Sequence, residues 1–364
     1  MTRILQITDH MGLGGIQAFI MNVYRHINRD KIQFDFLLHH KNAVTYDDEI
    51  EKLGGKIYYL PSRRDGILKN RKALNEFFRM HPEYQIVHMH QSSLSYIEPL
   101  IAAKNNGIKI RIIHSHSSSA PGSPIHKIIH SINRKRIAKI ATHYFSCGIL
   151  ASEWMYKGSG IEDKVEIVAN GIDLHEYTYN EDVRRTIRKE LGIKDQQLVI
   201  GHIGRFNTVK NHKFLIECFS VFHKLNPSSL LIMAGTGPLL EDMNNLAFEL
   251  GICDAVRFLG FRSDVAQLLS AMDVFVLPSL YEGFPVSAVE AQASGLPLIM
   301  SSSISNEVVV KENVIQIPLE SGVKTWAKAI YSISLRRLED NQILFEKGYD
   351  ISNTVKYLSN LYDC

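Results

Sequence analysis

Apolar positions follow two different periods along this chain. Short apolar runs recur at Arg3–Thr8, Gln33–Leu38, Lys56–Leu60, Ile86–Met89, Ile110–His114, His143–Ser146 and Val165–Val168, and again at Leu198–Ile203, Leu230–Ala234 and Val274–Leu277. Runs of this kind read as strands of a parallel sheet buried on both faces. Between them the period becomes helical. Ile16, Phe19, Ile20, Val23 and Ile27 form one stripe, and Phe214, Leu215, Cys218, Phe219 and Phe222 form another. Alternation of the two patterns predicts an α/β architecture of doubly wound, Rossmann-like sheets. Asn170-Gly171 ends the first set, and the polar stretch Tyr177–Gln197 reads as a linker with a surface helix. The expected division is residues 1–175 and 176–347, with a cleft between the two domains where ligands would bind.

Candidate chemistry sits at strand ends in the second half. Arg205 and Lys210 lie in Gly204-Arg205-Phe206-Asn207-Thr208-Val209-Lys210, just past a predicted strand. Open α/β sheets place ligands there, and a guanidinium with a nearby ammonium suits phosphate. The same residues also describe an ordinary basic loop. Ala234-Gly235-Thr236-Gly237-Pro238 follows the next strand, either as a plain turn or as a close backbone approach to a ligand. After the third strand comes Tyr281-Glu282-Gly283-Phe284-Pro285-Val286, with a helix expected to start near Pro285 and to carry Glu290. Free amides near Phe284, Pro285 and Val286, bracketed by two carboxylates, suit a phosphorylated polyhydroxyl compound such as a nucleotide sugar. Two solvated glutamates are the plainer account of the pair alone.

Taken together these segments resemble the C-terminal half of retaining, family-4-type glycosyltransferases of GT-B fold, closest to those of bacterial capsule and exopolysaccharide synthesis. The likeness extends to Gly14-Gly15, Arg111-Ile-Ile-His-Ser-His116 and Val168-Ala-Asn-Gly-Ile-Asp173, so it covers nearly the whole chain. It implies two facing Rossmann-like domains, the first for the acceptor and the second for the nucleotide sugar. A final helix at about 348–364 would pack back on the first domain. It implies transfer of a sugar, from UDP by family habit, to a saccharide or lipid-linked hydroxyl with retention and no metal. Arg205 and Lys210 would neutralise the leaving phosphate, Glu282 would bind the transferred sugar, and His116 would donate to sugar or acceptor. Gly14, Gly15, Gly204, Gly235, Gly237, Phe284, Pro285, Val286 and Glu290 would line the donor site, with Glu290 on the ribose. Many relatives carry Gly-Gly before the next loop glutamate, whereas this chain has Ser303-Ile-Ser-Asn-Glu307, which leaves a donor role for Glu307 open. An epimerase acting on a nucleotide sugar would share the diphosphate site, and a non-catalytic partner subunit would share the fold. Donor incubated without acceptor separates the first; nucleotide-sugar binding separates the second.

Charge refines the picture. Residues 1–170 carry a net +8 and the remainder −5; from Pro99 to Ser152 there is no acid. The segment 126–139 reads as a basic amphipathic helix, either a solvated face or a contact for anionic lipid headgroups or a lipid-diphosphate acceptor. Nucleic acid is not expected, because no aromatic platform accompanies the charge. Cys147, Cys218, Cys253 and Cys364 are far apart, which suggests a reduced cytoplasm, with a membrane-peripheral location on the inner face also in view.

Competing motifs fare less well. Gly12-Leu-Gly14-Gly15 lacks the third glycine of a dinucleotide fingerprint, and the second strand ends in His39-His40 with no acid for a ribose. His88/His90 and His114/His116 have spacing a metal would accept, but strand alternation also makes them paired solvent- or cleft-facing residues. Neither an Asp-x-Asp nor a Gly-x-Ser-x-Gly element occurs.

Overall fold

The computed structural model describes residues 1–12, 14–41, 45–119 and 123–363; Cys364 therefore lies outside the described residues. The chain divides into two compact units. One runs from Met1 to Gly171 and regains the chain from Ile351 onward; the other is Ile172–Asp350.

The first unit holds β1 (Thr2–Ile7), β2 (Ile32–Leu38), β3 (Ile57–Tyr59), β4 (Ile86–Gln91), β5 (Ile110–Ser115), β6 (His143–Ser146) and β7 (Val165–Ile167). They form one sheet in the order β3-β2-β1-β4-β5-β6-β7, with every neighbouring pair parallel. Crossovers run through α1 (Gly15–His26), α2 (Asp47–Lys52), α3 (Ile67–Met80), α4 (Glu98–Asn105), α5 (Pro124–Arg136) and α6 (Ile149–Tyr156). The expected helical stripe is the one that packs: Phe19, Ile20, Val23 and Ile27 are buried with Phe34, Phe36 and Ile86. Asp35 is buried in the middle of β2, and its carboxylate is held by Arg3, the Tyr84 hydroxyl at 2.7 Å and the Lys56 amide at 2.7 Å. A buried charge persists only with such compensation.

The second unit opens with α7 (Glu181–Glu190). Its sheet comprises β8 (Val199–Ile203), β9 (Leu230–Ala234), β10 (Val256–Phe258), β11 (Val274–Leu277), β12 (Leu298–Ser301) and β13 (Val314–Ile317). The order is β10-β9-β8-β11-β12-β13, again all parallel. Its helices are α8 (His212–Leu225), α9 (Leu240–Glu249), α10 (Val265–Ala271), α11 (Val286–Ala293), α12 (Gly322–Ser332) and α13 (Gln342–Glu346). The strand order reverses between β8 and β11, which is where a doubly wound sheet receives its ligand.

Two features fill in the reading of the pattern. The polar helix α7 is the expected surface helix, and two of its arginines dock it on the sheet. Arg184 and Arg188 donate to Asp273 at 2.6 and 2.7 Å, and Arg188 is buried. Asp273 also accepts from the Val199 amide at 2.8 Å, so two guanidiniums and a strand amide share one carboxylate. The final helix, α14 (Ile351–Tyr362), belongs to the first unit: Ile351, Leu358 and Tyr362 are buried among Ile4, Phe19 and Phe34. Among the described residues, no helix is long and apolar enough to cross a membrane.

Candidate active site

The site in the second unit is built by two loops tied edge to edge. After β8 the chain makes a 3₁₀ turn, Thr208–Lys210, capped by the Asn207 side chain, which accepts from the Lys210 amide at 3.1 Å. Asn211 then takes a left-handed φ of 54°, tolerable for asparagine, and starts α8. Its side-chain amide donates to Pro278 O at 3.2 Å, while Leu280 N donates to Val209 O at 2.8 Å. These bonds fix the loop after β8 against the loop after β11. They bring Lys210 Nζ to 2.7 Å from Glu282 Oε1, with both side chains mostly buried. Glu282 thus faces a cation, and Lys210 is half of an ion pair rather than a bare charge. Arg205 is the contrast: it is exposed, and its guanidinium makes no ion pair among the described residues.

Glycine earns its place here for a different reason from ligand approach. A Cβ on Gly204 would lie 3.1 Å from Lys210 Cε, so its absence leaves room for the lysine stem. At Gly235 (φ 146°) a Cβ would fall 2.0 Å from Gly204 O, and at Gly237 (φ 158°) 2.3 Å from Phe206 O. The Gly-Thr-Gly turn therefore packs against the chain's own backbone; Gly204 N donates to Ala234 O and Phe206 N to Thr236 O. The close approach expected from a ligand is made by the neighbouring loop.

Helix α11 begins at Val286, with Pro285 as its N-cap. The helix was expected to start at Pro285 itself; proline has no amide hydrogen, so Pro285 donates nothing and contributes only shape. Phe284 is buried, its ring 5.3 Å from that of Tyr349. The first-turn amides of Val286 and Ser287 lack intrahelical acceptors. The Ser279 and Ser287 hydroxyls are buried without a partner among the described residues. Glu290 accepts from the Tyr177 hydroxyl at 2.9 Å. Burial pushes its carboxyl up to about 7, against the smaller opposing pull of Tyr177 and Lys210. Glu307 sits in a 3₁₀ turn, where the Ser305 hydroxyl donates to it at 2.9 Å.

Sequence reasoning missed two histidines behind this site. His202, on β8, bonds Val276 O through Nδ1 at 2.8 Å and leaves Nε2 without a partner among the described residues. His212 stacks on Phe206 at 4.0 Å, and neither nitrogen meets the hydrogen-bond criterion with a partner among the described residues. Burial, with the Lys210 charge adding to it, lowers them to about 4 and about 2, so both are neutral. The alternation of β8 placed His202 on one face, but only the fold puts His212 beside it.

In the first unit His88 and His90 of β4, His114 of β5 and the half-buried His116 just past it meet in one cluster. His88, His90 and His114 are buried, which corrects the expectation of solvent- or cleft-facing side chains. Tyr362 Oη lies 2.6 Å from His88 Nδ1, and His88 Nε2 lies 3.2 Å from His114 Nδ1. His90 Nε2 is 2.8 Å from Gln6 Oε1, and His90 Nδ1 is 2.9 Å from His116 Nε2. With Gln6 Oε1 accepting, His90 carries its proton on Nε2, and His116 must donate from Nε2. His116 Nδ1, which has no partner among the described residues, is then an acceptor; the donor role expected of His116 is already spent on His90. Burial holds His116 near 3 and the other three far below their usual value. Ligand nitrogens of His88, His90 and His114 lie within 4.8 Å of one another, but those of His88 and His90 are all engaged. Gly14 has extended backbone (φ −178°), and a Cβ on Gly15 would meet nothing within 4 Å. The residue between Gly12 and Gly14 lies outside the described residues.

Comparison with known proteins matches these two halves separately. The family model for glycosyl transferases group 1 covers residues 183–350, and that for glycosyltransferase family 4 covers residues 13–176. A putative glycosyltransferase, EpsF, of Bacillus subtilis is 32% identical over 370 residues, spanning 99% of this chain and 96% of its own length. The Escherichia coli UDP-Gal:alpha-D-GlcNAc-diphosphoundecaprenol alpha-1,3-galactosyltransferase is 24% identical over 96% of this chain and 94% of its own. The crystal structure of Anabaena HepE in complex with UDP and glucose superposes with a TM-score of 0.81 at 17% identity, covering 99% of both chains. The chain belongs to the family-4-type glycosyltransferases of GT-B fold.

Proposed function

We propose that this enzyme moves a sugar from a nucleoside-diphosphate sugar, UDP-linked, to a hydroxyl of a saccharide or lipid-linked acceptor in exopolysaccharide or capsule synthesis. The configuration at the anomeric carbon is retained and no metal is needed. The observation that carries the reading is the loop pair of the second unit: a free guanidinium at Arg205, the Lys210–Glu282 pair and the open first turn of α11 gathered at one strand reversal. In the transfer, the bond from the anomeric carbon to the diphosphate oxygen breaks, and the acceptor oxygen bonds the same face of that carbon. Its proton passes to the departing phosphate. The charge developing there is met by Arg205, Lys210 and the amides of Val286 and Ser287, a fixed electrostatic arrangement. Donor phosphate entering beside Lys210 shares the ammonium with Glu282, and the freed carboxylate oxygen accepts from sugar hydroxyls. Glu290, released by Tyr177, accepts from the ribose. In the first unit, the Gly14-Gly15 backbone and His116 are the groups offered to the acceptor, His116 through Nδ1 accepting.

The B. subtilis, E. coli and Anabaena likenesses support the substrate class, since two of them are named for UDP or a UDP-sugar. The protein is placed in the cytoplasm, peripheral on the inner face of the membrane. A thermal-shift series with UDP-, GDP- and ADP-sugars, repeated with chelator, is the test. Stabilisation by UDP-sugars alone, unchanged by chelator, is the expected result. Stabilisation by none, or transfer lost with chelator and restored by manganese, overturns it.

A further inference from the structure

Six side chains of the first unit form one hydrogen-bonded series with a single direction. Gln6, His88, His90 and His114 are buried in it, and Tyr362 enters from α14. At one end His116 Nε2 meets His90 Nδ1 at 2.9 Å, and His90 Nε2 meets Gln6 Oε1 at 2.8 Å. Burial pushes the Tyr362 hydroxyl up, and a hydrogen bond with Gln6 opposes that. Only a donor favours the ionised form of a hydroxyl, so the Gln6 amide nitrogen faces Tyr362 while its oxygen faces His90. Tyr362 then spends its one proton on His88 Nδ1 at 2.6 Å, and His88 donates from Nε2 to His114 Nδ1 at 3.2 Å. The order of protons runs one way, from His116 to His114.

A neutral imidazole has one N–H and one lone pair, so the links of such a series reverse together or not at all. Turning the Gln6 amide over would reverse every link and make His116 Nδ1 a donor. The two bare ends, His114 Nε2 and His116 Nδ1, do not decide between the orders. Either order leaves one N–H and one lone pair there without a partner among the described residues. Gln6 is the member whose donor and acceptor ends are different atoms, so its orientation sets the rest. Burial holds His116 near 3, so protonation supplies no N–H at Nδ1 at neutral pH.

We infer that Gln6, held by Tyr362, is a positioning residue that fixes the tautomer of His116 and thereby selects what His116 recognises. That group must bring its own proton, as a sugar hydroxyl does, which excludes a carboxylate or phosphate oxygen. The selection rests on the proposed use of His116 toward the acceptor; the order of protons does not.

The test is 15N NMR of the full chain carrying labelled histidine, which separates protonated from bare ring nitrogens. Wild type should hold the proton on Nε2 in all four rings of the series. Gln6→Leu should leave His90 and His116 in mixed or reversed tautomers. Tyr362→Phe keeps the ring, frees the amide to rotate and should mix them as well. KM for an octyl glycoside that the wild type glycosylates should rise about tenfold in Gln6→Leu and about threefold in Tyr362→Phe, with UDP affinity unchanged. A proton on His116 Nδ1 in wild type, tautomers untouched by the substitutions, or mixed tautomers with an unaltered KM overturns the inference. Should Gln6→Leu not fold, Tyr362→Phe decides alone. The expected tautomers in a wild type that binds no UDP leave the series intact and sink the donor reading instead.

Discussion

Both units carry a parallel sheet with polar side chains at the carboxyl ends of central strands, yet they treat those side chains in opposite ways. In the first unit, His88 and His90 are buried and neutral and engage both nitrogens with Tyr362, Gln6, His114 and His116, leaving in this cluster only His114 Nε2 and His116 Nδ1 without a partner among the described residues. In the second, Lys210 and Glu282 form a partly buried ion pair, and Arg205 has no counter-ion among the described residues. The imidazole cluster spends nearly all its hydrogen-bonding capacity on folding. The loop pair holds capacity back, in Arg205, in the Ser279 and Ser287 hydroxyls and in the first turn of α11. One topology thus yields a core in one unit and a candidate site in the other, according to whether its strand-end groups are internally paired.

The sharpest way to break that contrast is to remove the held-back charge. Arg205→Ala and Lys210→Ala should each lower kcat for sugar transfer by roughly a hundred- to a thousandfold. Near-wild-type turnover in both would end the assignment. On the other side, His114→Ala should cost about 2–4 kcal/mol in denaturant unfolding, by leaving His88 Nε2 without its partner and opening a cavity. UDP affinity should stay unchanged; a loss of affinity as large as the loss of stability would erase the distinction between core and site.

Titration separates the two regions further. The Glu290 carboxyl is raised by burial from 4.5 to about 7. Its contribution to stability is therefore complete below about 4.5 and lost as pH rises through about 7. The histidines of the first unit, lowered from 6.5 by burial, act in reverse. Their contribution is complete above 6.5 and lost as pH falls through their folded values. Donor affinity should follow Glu290 alone. An ionised carboxylate accepts two ribose hydroxyls better than a neutral acid, so affinity should fall up to tenfold per pH unit below about 7. Glu290→Gln should flatten that profile, measured by calorimetry across the range, and a profile unchanged by the substitution would refute the role. The smallest effect belongs to Tyr177→Phe. Removing a hydroxyl that holds Glu290 Oε1 at 2.9 Å should move donor affinity by about threefold, and shift the midpoint of the profile upward. A larger loss would make Tyr177 a ligand contact in its own right.

The strands were legible because both faces of each are buried, which leaves a contiguous apolar run such as Val274–Leu277 or Leu230–Ala234. The stripe of α1 was legible for the same reason, since period reports burial. Partners far apart in the chain were not. Lys210 and Glu282 are 72 residues apart, Tyr177 and Glu290 are 113 apart, and no local pattern announces either pair. Helix α7 read as a surface helix because seven of its ten residues are charged; only the position of Asp273 turns two of those charges into a dock. The His-x-His spacing was visible, but a two-residue period gives a shared face without saying whether that face meets water. On α5 the periodicity identified the helix, and its exposed Ile125, Ile128 and Ile132 show that an apolar face need not be the packed one.

Helix α14 carries a consequence for biosynthesis. It supplies Leu358 and Tyr362 to the interior of the first unit, although its residues are translated after all of the second. The amino-terminal sheet must therefore wait on the ribosome with its flank open, while the contiguous stretch 172–350 has everything it needs to collapse. Vectorial synthesis and spatial organisation run in opposite directions here: the half made first is the half finished last.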